Sequence, residues 1–548
     1  MTDLYSRPSL QHRGPTFGRD LPSLARSART HLGKASTVSL LPHYGGLYPA
    51  PHETARKGDH NSMTRQEAPN ILWICTDQQR FDSLGCYGND LVHTPNIDRL
   101  AQDGVLFEMA YCQSPICTPS RASFLTGRYP RTTRCRQNGQ KIPADERMVP
   151  RLLKDGAGYV CGLSGKLHTS YCHPSVLKGT EDRIDDGYDE FHWSHDHSPV
   201  WATNEYHNWL LAHGQKYEHK PIPGTTMVQE GMPAEFHQTT WCAEKAIDFM
   251  RLNAKFDSPW LFSVNIFDPH HAFDPPKAYL ERYLDILDEI PLPLYEPGEP
   301  ATKTSFQQLD SISPYNGRGG AIPEYDRISA WEHRLTKAAY YAMVDLIDDQ
   351  VGRMLDALEE TGQRDNTIVI FMSDHGEMLG DHGIYLKGPY FYEGAVRVPL
   401  IFSQPGVIRS GVREQGLSEL VDIAPTLLEA AGVAPYAGMQ GHSFWQMLTG
   451  QDEDWAGRED VYCEYYNAMP WHRAPTAQTT MVRTGDYKLT VVHGQDSGEL
   501  YDLRADPNEF ANHWHDADYQ SIKVDMMKRL CDRMAWTVDP LPLRVSDW

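Results

Sequence analysis

Eleven consecutive residues, Cys117-Thr118-Pro119-Ser120-Arg121-Ala122-Ser123-Phe124-Leu125-Thr126-Gly127, set a thiol, a proline and an arginine at spacings that suit a nucleophile. Thr118 is a good N-cap, Pro119 fits the first helical position and Gly127 is a natural stop. The sequence therefore predicts a short helix over Pro119 to Thr126. Cys117 then stands just before the helix N-terminus, where free N–H groups and the macrodipole favour an anion, whether a thiolate, an alkoxide or a bound oxyanion. Arg121, one turn further on, can direct its guanidinium back to the same point. A cysteine by itself is more often a small buried hydrophobe. The surrounding motif is what sets Cys117 apart from the other nine cysteines.

Four more polar clusters follow short apolar runs. Asn70 to Thr76 leads into Asp77-Gln78, and Tyr159 to Leu163 into Gly165-Lys166-Leu167-His168. Trp260 to Ile266 leads into Asp268-Pro269-His270-His271. Thr367 to Met372 leads into Ser373-Asp374-His375-Gly376, with Gly380-Asp381-His382-Gly383 and Lys387 close behind. In a parallel sheet the C-terminal ends of such strands share one edge, where open α/β folds bind ligands. Asp77, Gln78, Asp374 and His375 can thus meet although they lie far apart in the chain. Two carboxylates, an amide oxygen and an imidazole form a mainly hard donor set, suited to Ca²⁺, Mg²⁺ or Mn²⁺. Alone, Asp-His-Gly reads as a turn and Lys-x-His as polar surface; their place after predicted strands gives them weight.

The elements that must position these residues alternate between short apolar runs and helical stretches, the mark of an α/β domain with a largely parallel sheet. Leu400 to Phe402 is a further strand. The clearest helix runs from about Arg334 to Thr361, with apolar residues recurring at three and four and Gly362 as its stop, and it reads as scaffold. Residues 170 to 235, rich in His, Trp and Tyr, and residues 284 to 330, rich in Pro and Gly, read as long surface insertions near a site. His195 and His197 form a His-x-His that can bind metal, although such a pair is more often a solvated loop. From about Trp455 the character changes: Met481 to Val492 and Gly498 to Leu503 read as antiparallel strands, Asp506-Pro507-Asn508 as a turn, and Asp518 to Met534 as a helix. The expected division is a leader over 1–62, a catalytic domain over 63–450 and a C-terminal subdomain over 451–548.

A chain of 548 residues exceeds the usual single-core limit, in keeping with one large domain and one smaller one. Its net charge of −22 argues against nucleic acid or an anionic membrane as the main partner, because either needs a basic face. An anionic substrate would require a locally positive site to offset that field. Residues 1–62 hold eight basic against four acidic residues without apolar periodicity, which reads as a disordered leader. An initiator at Met63 is the alternative. Ten cysteines without a Cys-x-x-Cys pair read as reduced thiols; a Cys112–Cys117 bridge would consume the nucleophile. No window approaches the roughly 18 apolar residues of a membrane span, and the N-terminus lacks an apolar signal region, so a cytoplasmic location is expected. The sequence leaves the oligomeric state open.

The Cys-x-Pro-Ser-Arg core with Leu-Thr-Gly, together with Asp77, the Gly-Lys-x-His of 165–168 and the Asp-His-Gly of 374–376, resembles the formylglycine-dependent (type I) sulfatases of the alkaline-phosphatase-like superfamily. The resemblance covers about residues 69 to 515. It implies a large mixed, mostly parallel sheet flanked by helices and a small C-terminal antiparallel-sheet subdomain. It also implies that a formylglycine-generating enzyme, a transient partner, oxidises Cys117 to an aldehyde whose hydrate attacks sulfur. Asp77, Gln78, Asp374, His375 and modified Cys117 would hold one divalent metal. Gln78 stands where many relatives have Asp, and His375 where many have Asn, so Ca²⁺ is favoured with Mn²⁺ as its main competitor and Mg²⁺ as a further option. Lys166, Lys387 and Arg121 would clamp the sulfate, His168 would deprotonate the second hydroxyl, and His270, in preference to the adjacent His271, would assist the leaving alcohol. The implied activity is sulfate ester hydrolysis. A sulfated carbohydrate is the expected substrate, with His192, Trp193 and Trp201 as a stacking platform. Two alternatives stand beside it: a phosphonate monoester or phosphodiester hydrolase on the same scaffold, and a non-catalytic binding protein if Cys117 stays unmodified.

Overall fold

The structure is a computed structural model that describes residues 68–317, 322–472 and 476–546. The leader expected over 1–62, and the alternative start at Met63, lie outside the described residues.

Asn70–Thr76 and Thr367–Ser373 are continuous apolar runs, buried along their whole length, and they pair in parallel at the centre of a nine-stranded sheet. Burial on both faces is what such unbroken runs demand. From one edge the strands run Val412–Glu419, Val105–Tyr111, Leu400–Ser403, Thr367–Ser373, Asn70–Thr76, Trp260–Asn265, Val160–Gly165 and Glu190–Trp193, with the short Arg397–Val398 paired to Val105–Tyr111. The five strands from Thr367–Ser373 to Glu190–Trp193 are parallel. Leu400–Ser403 runs antiparallel to both neighbours, so it sends no C-terminal end to the common edge. Glu190–Trp193 corrects the expectation that 170–235 is purely a surface insertion, because its chain completes the main sheet.

The predicted scaffold helix spans Ala330–Glu360. It starts earlier than the apolar pattern indicated because Ser329 and Glu332 form a capping box. It ends where Thr361 caps it and Gly362 takes φ +69°. Its apolar stripe packs against the Gln238–Asn253, Lys277–Leu284 and Pro95–Gln102 helices.

In the C-terminal part, Val461–Tyr466, Gln478–Arg483, Tyr487–Val492 and Ser497–Asp502 form an antiparallel meander. The stretch predicted as one strand over Met481 to Val492 is a hairpin, since a turn at 484–486 separates two strands. The Gln520–Trp536 helix lies on this sheet through Met526 and Leu530, which pack with Val482, Leu489 and Leu500. Val461, Cys463 and Tyr501 belong instead to the core of the large sheet, so the meander is joined to it by apolar packing. All ten cysteines are free thiols. Among the described residues no helix is long and apolar enough to cross a membrane.

Candidate active site

Strand register brings the polar clusters together. Thr76 is paired with Ser373 and Cys75 with Asn265, while Gly165 is paired with the same Asn265. The residues that follow, Asp77, Asp374, Lys166 and the 268–271 segment, therefore leave the sheet at one level. Gly165 makes the Lys166 approach possible: at φ +93° an added Cβ would lie 1.9 Å from the Asn265 carbonyl oxygen.

The 117–127 motif forms the Cys117–Thr126 helix, with Ile116 as N-cap and Gly127 in the left-handed region as C-cap. Thr118 is thus not the cap, and Cys117 is the first helical residue instead of the one before the helix. The Thr118 N–H is satisfied by Asn138 Oδ1 at 3.0 Å, a partner with no local sequence signal. Cys117 Sγ lies 3.0 Å from Lys387 Nζ, 3.1 Å from His375 Nε2, 3.7 Å from Asp77 Oδ1 and 3.9 Å from Lys166 Nζ. Lys166 Nζ also pairs with Asp77 Oδ2 at 2.5 Å.

Arg121 takes a different place from the one expected. Its Nε donates to Asp374 at 2.8 Å, one terminal nitrogen donates to the Lys166 carbonyl at 2.7 Å, and the other faces Asp77 at 3.3 Å. The guanidinium is committed to holding two carboxylates side by side. Asp374 Oδ1 further accepts from the Gln78 and His375 N–H groups, and Ser120 Oγ donates to the Asp374 carbonyl at 2.6 Å.

Burial and Asp77 push the Cys117 thiol up, but Lys166, Lys387 and His375 together outweigh them and bring it down to about 5. Burial would also raise Asp77, yet the charges of Lys166, Lys387 and Arg121 hold it well below the carboxylate range. Burial pushes His168 and His270 well down, assisted by the lysine charges, so both rings are neutral. His270 Nδ1 donates to the His271 carbonyl at 2.5 Å, which makes Nε2 the acceptor of the neutral ring, and the ring stacks on His271 with centroids 4.1 Å apart. His271 itself faces Gln78 Nε2 at 3.3 Å. Neither His168 nor His270 has a hydrogen bond to Cys117; they flank the cluster.

Two supporting carboxylates were missed by motif reading because nothing local marks them. Glu377 accepts from Gln78 Nε2 and from the N–H groups of Leu379 and Leu386. Glu181 accepts from the His168 and Thr169 N–H groups at 2.9 and 3.1 Å and from Trp193 Nε1 at 3.0 Å, which holds His168 at φ +54°. Trp193 and Trp201 are only 1% and 5% exposed and pack edge to face, 5.8 Å apart. They are core residues and not a sugar platform. His192 is engaged by Glu190 and Glu205. His197 stacks on Tyr217 and faces Asp274, away from His195's neighbours, so the His-x-His is not a chelating pair.

Ligand atoms of Asp77, Cys117, Asp374 and His375 lie within 4.8 Å of one another, all buried. Among the described residues Gln78 Oε1 is buried without a hydrogen-bond partner, because Glu377 holds the other end of the amide. His375 Nδ1 donates to the Gly376 carbonyl at 2.9 Å, which turns Nε2 toward Cys117; that atom steadies the thiolate when it carries a proton and offers its lone pair to a cation when it does not. An orphaned amide oxygen, two carboxylates and an oriented imidazole fit a divalent cation.

Comparison with known proteins shows the family. The sulfatase family model matches residues 69–433, and the model for the C-terminal part of N-sulphoglucosamine sulphohydrolase matches residues 380–535. The chain is 29% identical to an N-acetylglucosamine-6-O-sulfatase of Bacteroides thetaiotaomicron, over 84% of this chain and 85% of that one. It is 30% identical to a choline-sulfatase of Rhizobium meliloti, over 81% and 82% respectively. Among solved structures it resembles the phosphonate monoester hydrolase of Agrobacterium radiobacter, with a TM-score of 0.74 and 25% identity over 87% of this chain and 98% of that one.

Proposed function

The chain belongs to the sulfatase family, and from that premise we propose that it hydrolyses the sulfate ester of a sulfated sugar through a formylglycine made from Cys117. The observation that carries this reading is the placement of Cys117 Sγ within 4 Å of both Lys166 and Lys387 at a metal-competent cluster. A sugar substrate is supported by the likeness to the N-acetylglucosamine-6-O-sulfatase, not by the buried tryptophans.

Conversion of Cys117 to formylglycine by a formylglycine-generating enzyme would supply, on hydration, a nucleophilic hydroxyl and a second one for sulfate release. A divalent cation held by Asp77, Gln78, Asp374 and His375, with residue 117 as a further ligand, would supply fixed positive charge for the sulfate oxygens; Ca²⁺ suits the oxygen-rich set and Mn²⁺ is the competitor. Lys166 and Lys387 bind and orient the sulfate and offset the charge that develops on its oxygens. Arg121 keeps Asp77 and Asp374 together and acts as a positioning residue. His168, kept neutral by burial, would serve as the base that accepts the proton of a residue-117 hydroxyl. His270 is neutral in the free site; an anionic ester beside it raises its proton affinity, and with Lys387 it assists departure of the alcohol.

Cys117→Ala should reduce turnover of an aryl sulfate to background while the melting temperature stays within a few degrees; activity retained in that variant would falsify the nucleophile assignment. A second reading, phosphonate monoester or phosphodiester hydrolysis, is favoured by the TM-score of 0.74 to the Agrobacterium enzyme. Lys166 with His168 favours sulfate, and parallel assays on an aryl sulfate and an aryl phosphodiester decide: a preference for the diester overturns the sulfatase reading. The non-catalytic reading is tested by the mass of the peptide containing residue 117, which distinguishes thiol from aldehyde.

A further inference from the structure

Beside the proposed nucleophile lies a second group of metal-competent side chains that this mechanism does not use as a set. His168, Cys172 and His195 present ligand atoms all within 4.8 Å of one another. His168 and Cys172 are buried, at 6% and 4% exposure, and His195 is half-buried. The Nδ1 atoms of both His168 and His195 are buried without a hydrogen-bond partner among the described residues. An unpaired imidazole nitrogen away from water is costly, and two of them beside one thiol need an explanation. The two rings meet edge to face with centroids 4.6 Å apart.

The surroundings are those of a built site. His168 is fixed from behind by Glu181, which accepts its backbone N–H and that of Thr169. Trp201 donates its indole N–H to the Cys172 carbonyl at 2.9 Å and lays its ring 5.2 Å from that of His195. Cys172, Trp193 and Trp201 form a small apolar cluster of their own, which excludes water from the sulfur. Ring nitrogens and a thiolate are borderline-soft donors, whereas the Asp77 cluster, once residue 117 carries oxygen in place of sulfur, is rich in carboxylate and amide oxygen. The two sites therefore sort cations by softness: Ca²⁺ or Mg²⁺ has no preference for the nitrogen and sulfur set.

We propose that His168, Cys172 and His195 form a second cation site, for a thiophilic divalent ion of the zinc class, and that filling it inhibits the enzyme by occupying His168. Three protein ligands and one open position are a usual zinc arrangement. The donor atoms need to close from 4.8 Å at most to about 3.5 Å, the edge of a tetrahedron with bonds of about 2.1 Å. Binding replaces the S–H bond of Cys172 by a metal–thiolate bond and releases the proton to solvent, with no change of oxidation state. The binding half stands on these three residues alone. The inhibitory half rests on the role proposed above for His168.

The test uses the purified full chain with Ca²⁺ present, and Co²⁺ and Zn²⁺ as probes. One equivalent of Co²⁺ should give a thiolate-to-cobalt charge-transfer band in the wild type. The band should vanish in Cys172→Ser and weaken in His195→Ala, and persist in Cys117→Ser. Zn²⁺ should inhibit aryl sulfate turnover, with the half-inhibiting concentration raised at least about 10-fold in Cys172→Ser and in His195→Ala. Turnover without zinc should stay within about two-fold of wild type in both, and His195→Ala, on the more open side of the cluster, serves should Cys172→Ser fold poorly. A band lost in Cys117→Ser but kept in Cys172→Ser places the soft ion on the nucleophile and overturns the proposal, as does the absence of Co²⁺ binding. Binding at Cys172 without inhibition overturns the inhibitory half, and because the spectroscopic arm needs no catalysis, it is independent of the sulfatase reading.

Discussion

Charge at the site is set by a few side chains whose effects oppose one another. In protein that retains Cys117 as a thiol and has been freed of metal by chelation, burial and Asp77 favour the neutral form while Lys166, Lys387 and His375 favour the thiolate. The balance puts the midpoint at about 5. Alkylation of Cys117, followed by peptide mass, should therefore have reached its plateau by pH 7. Lys387→Met removes one stabilising cation and should move the midpoint upward; a midpoint near the ordinary thiol value in the unaltered protein would contradict the charge balance. For His168 the sign is opposite. Burial and Lys166 push its proton affinity down, and a base works only when neutral, so lowering the pH disables it only below histidine's ordinary range near 6.5. The acid limb of kcat should lie below that range, and the residual activity of Lys166→Met should show it displaced upward.

Secondary-structure elements contribute chiefly through where they end. The Cys117–Thr126 helix begins at a residue whose own side chain does not cap it, and Asn138, from a loop, accepts the Thr118 N–H. The Ala330–Glu360 helix is capped by its own sequence, Ser329 with Glu332. Ser329→Ala should lower stability by about 1 kcal/mol, seen as a drop of a few degrees in melting temperature, with kcat unchanged because this helix carries none of the proposed chemistry. Asn138→Ala has a similar stability effect, and in addition it loosens the turn that bears residue 117, so kcat should fall as well. Equal kcat for both variants would show that the cap does not position the nucleophile.

Across the whole molecule, an acidic chain and the anionic substrate proposed for it are reconciled by local composition: a chain of net charge −22 gathers Arg121, Lys166 and Lys387 around Cys117 and Asp77. The C-terminal helix is tied to the catalytic body by a buried ionic cluster. Arg533 donates to Glu419 at 2.7 Å and to the Tyr129 hydroxyl at 2.6 Å, and Glu419 is shared with Arg458 at 3.4 Å. Burial would raise Glu419, but Arg533 and Arg458 keep it below the ordinary carboxylate range. Arg533→Met leaves the buried Glu419 with Arg458 as its one remaining cationic partner, beside the Tyr129 hydroxyl and the Tyr462 N–H, so stability should fall by about 3 kcal/mol or more. The folded fraction should keep its kcat, since the cluster lies behind the helix stop at Gly127; chemical denaturation and an activity assay on the same sample check both.

The sequence by itself determined the chemistry-bearing positions and their strands. Unbroken apolar runs such as 70–76 and 367–373 announce buried parallel strands, and Asp77, Lys166 and Asp374 follow such runs directly. Motifs are legible because they are local: a helix stop, a glycine, a charged residue at fixed spacing. What only the tertiary structure decided depends on partners distant in the chain. Arg121 turned from the substrate toward Asp77 and Asp374 because two buried carboxylates need a shared cation. Trp193 and Trp201 went into the core, since composition cannot distinguish a packed indole from an exposed one. His195 joined His168 and Cys172 instead of His197, because a loop's path, and not residue spacing, chooses which imidazoles meet.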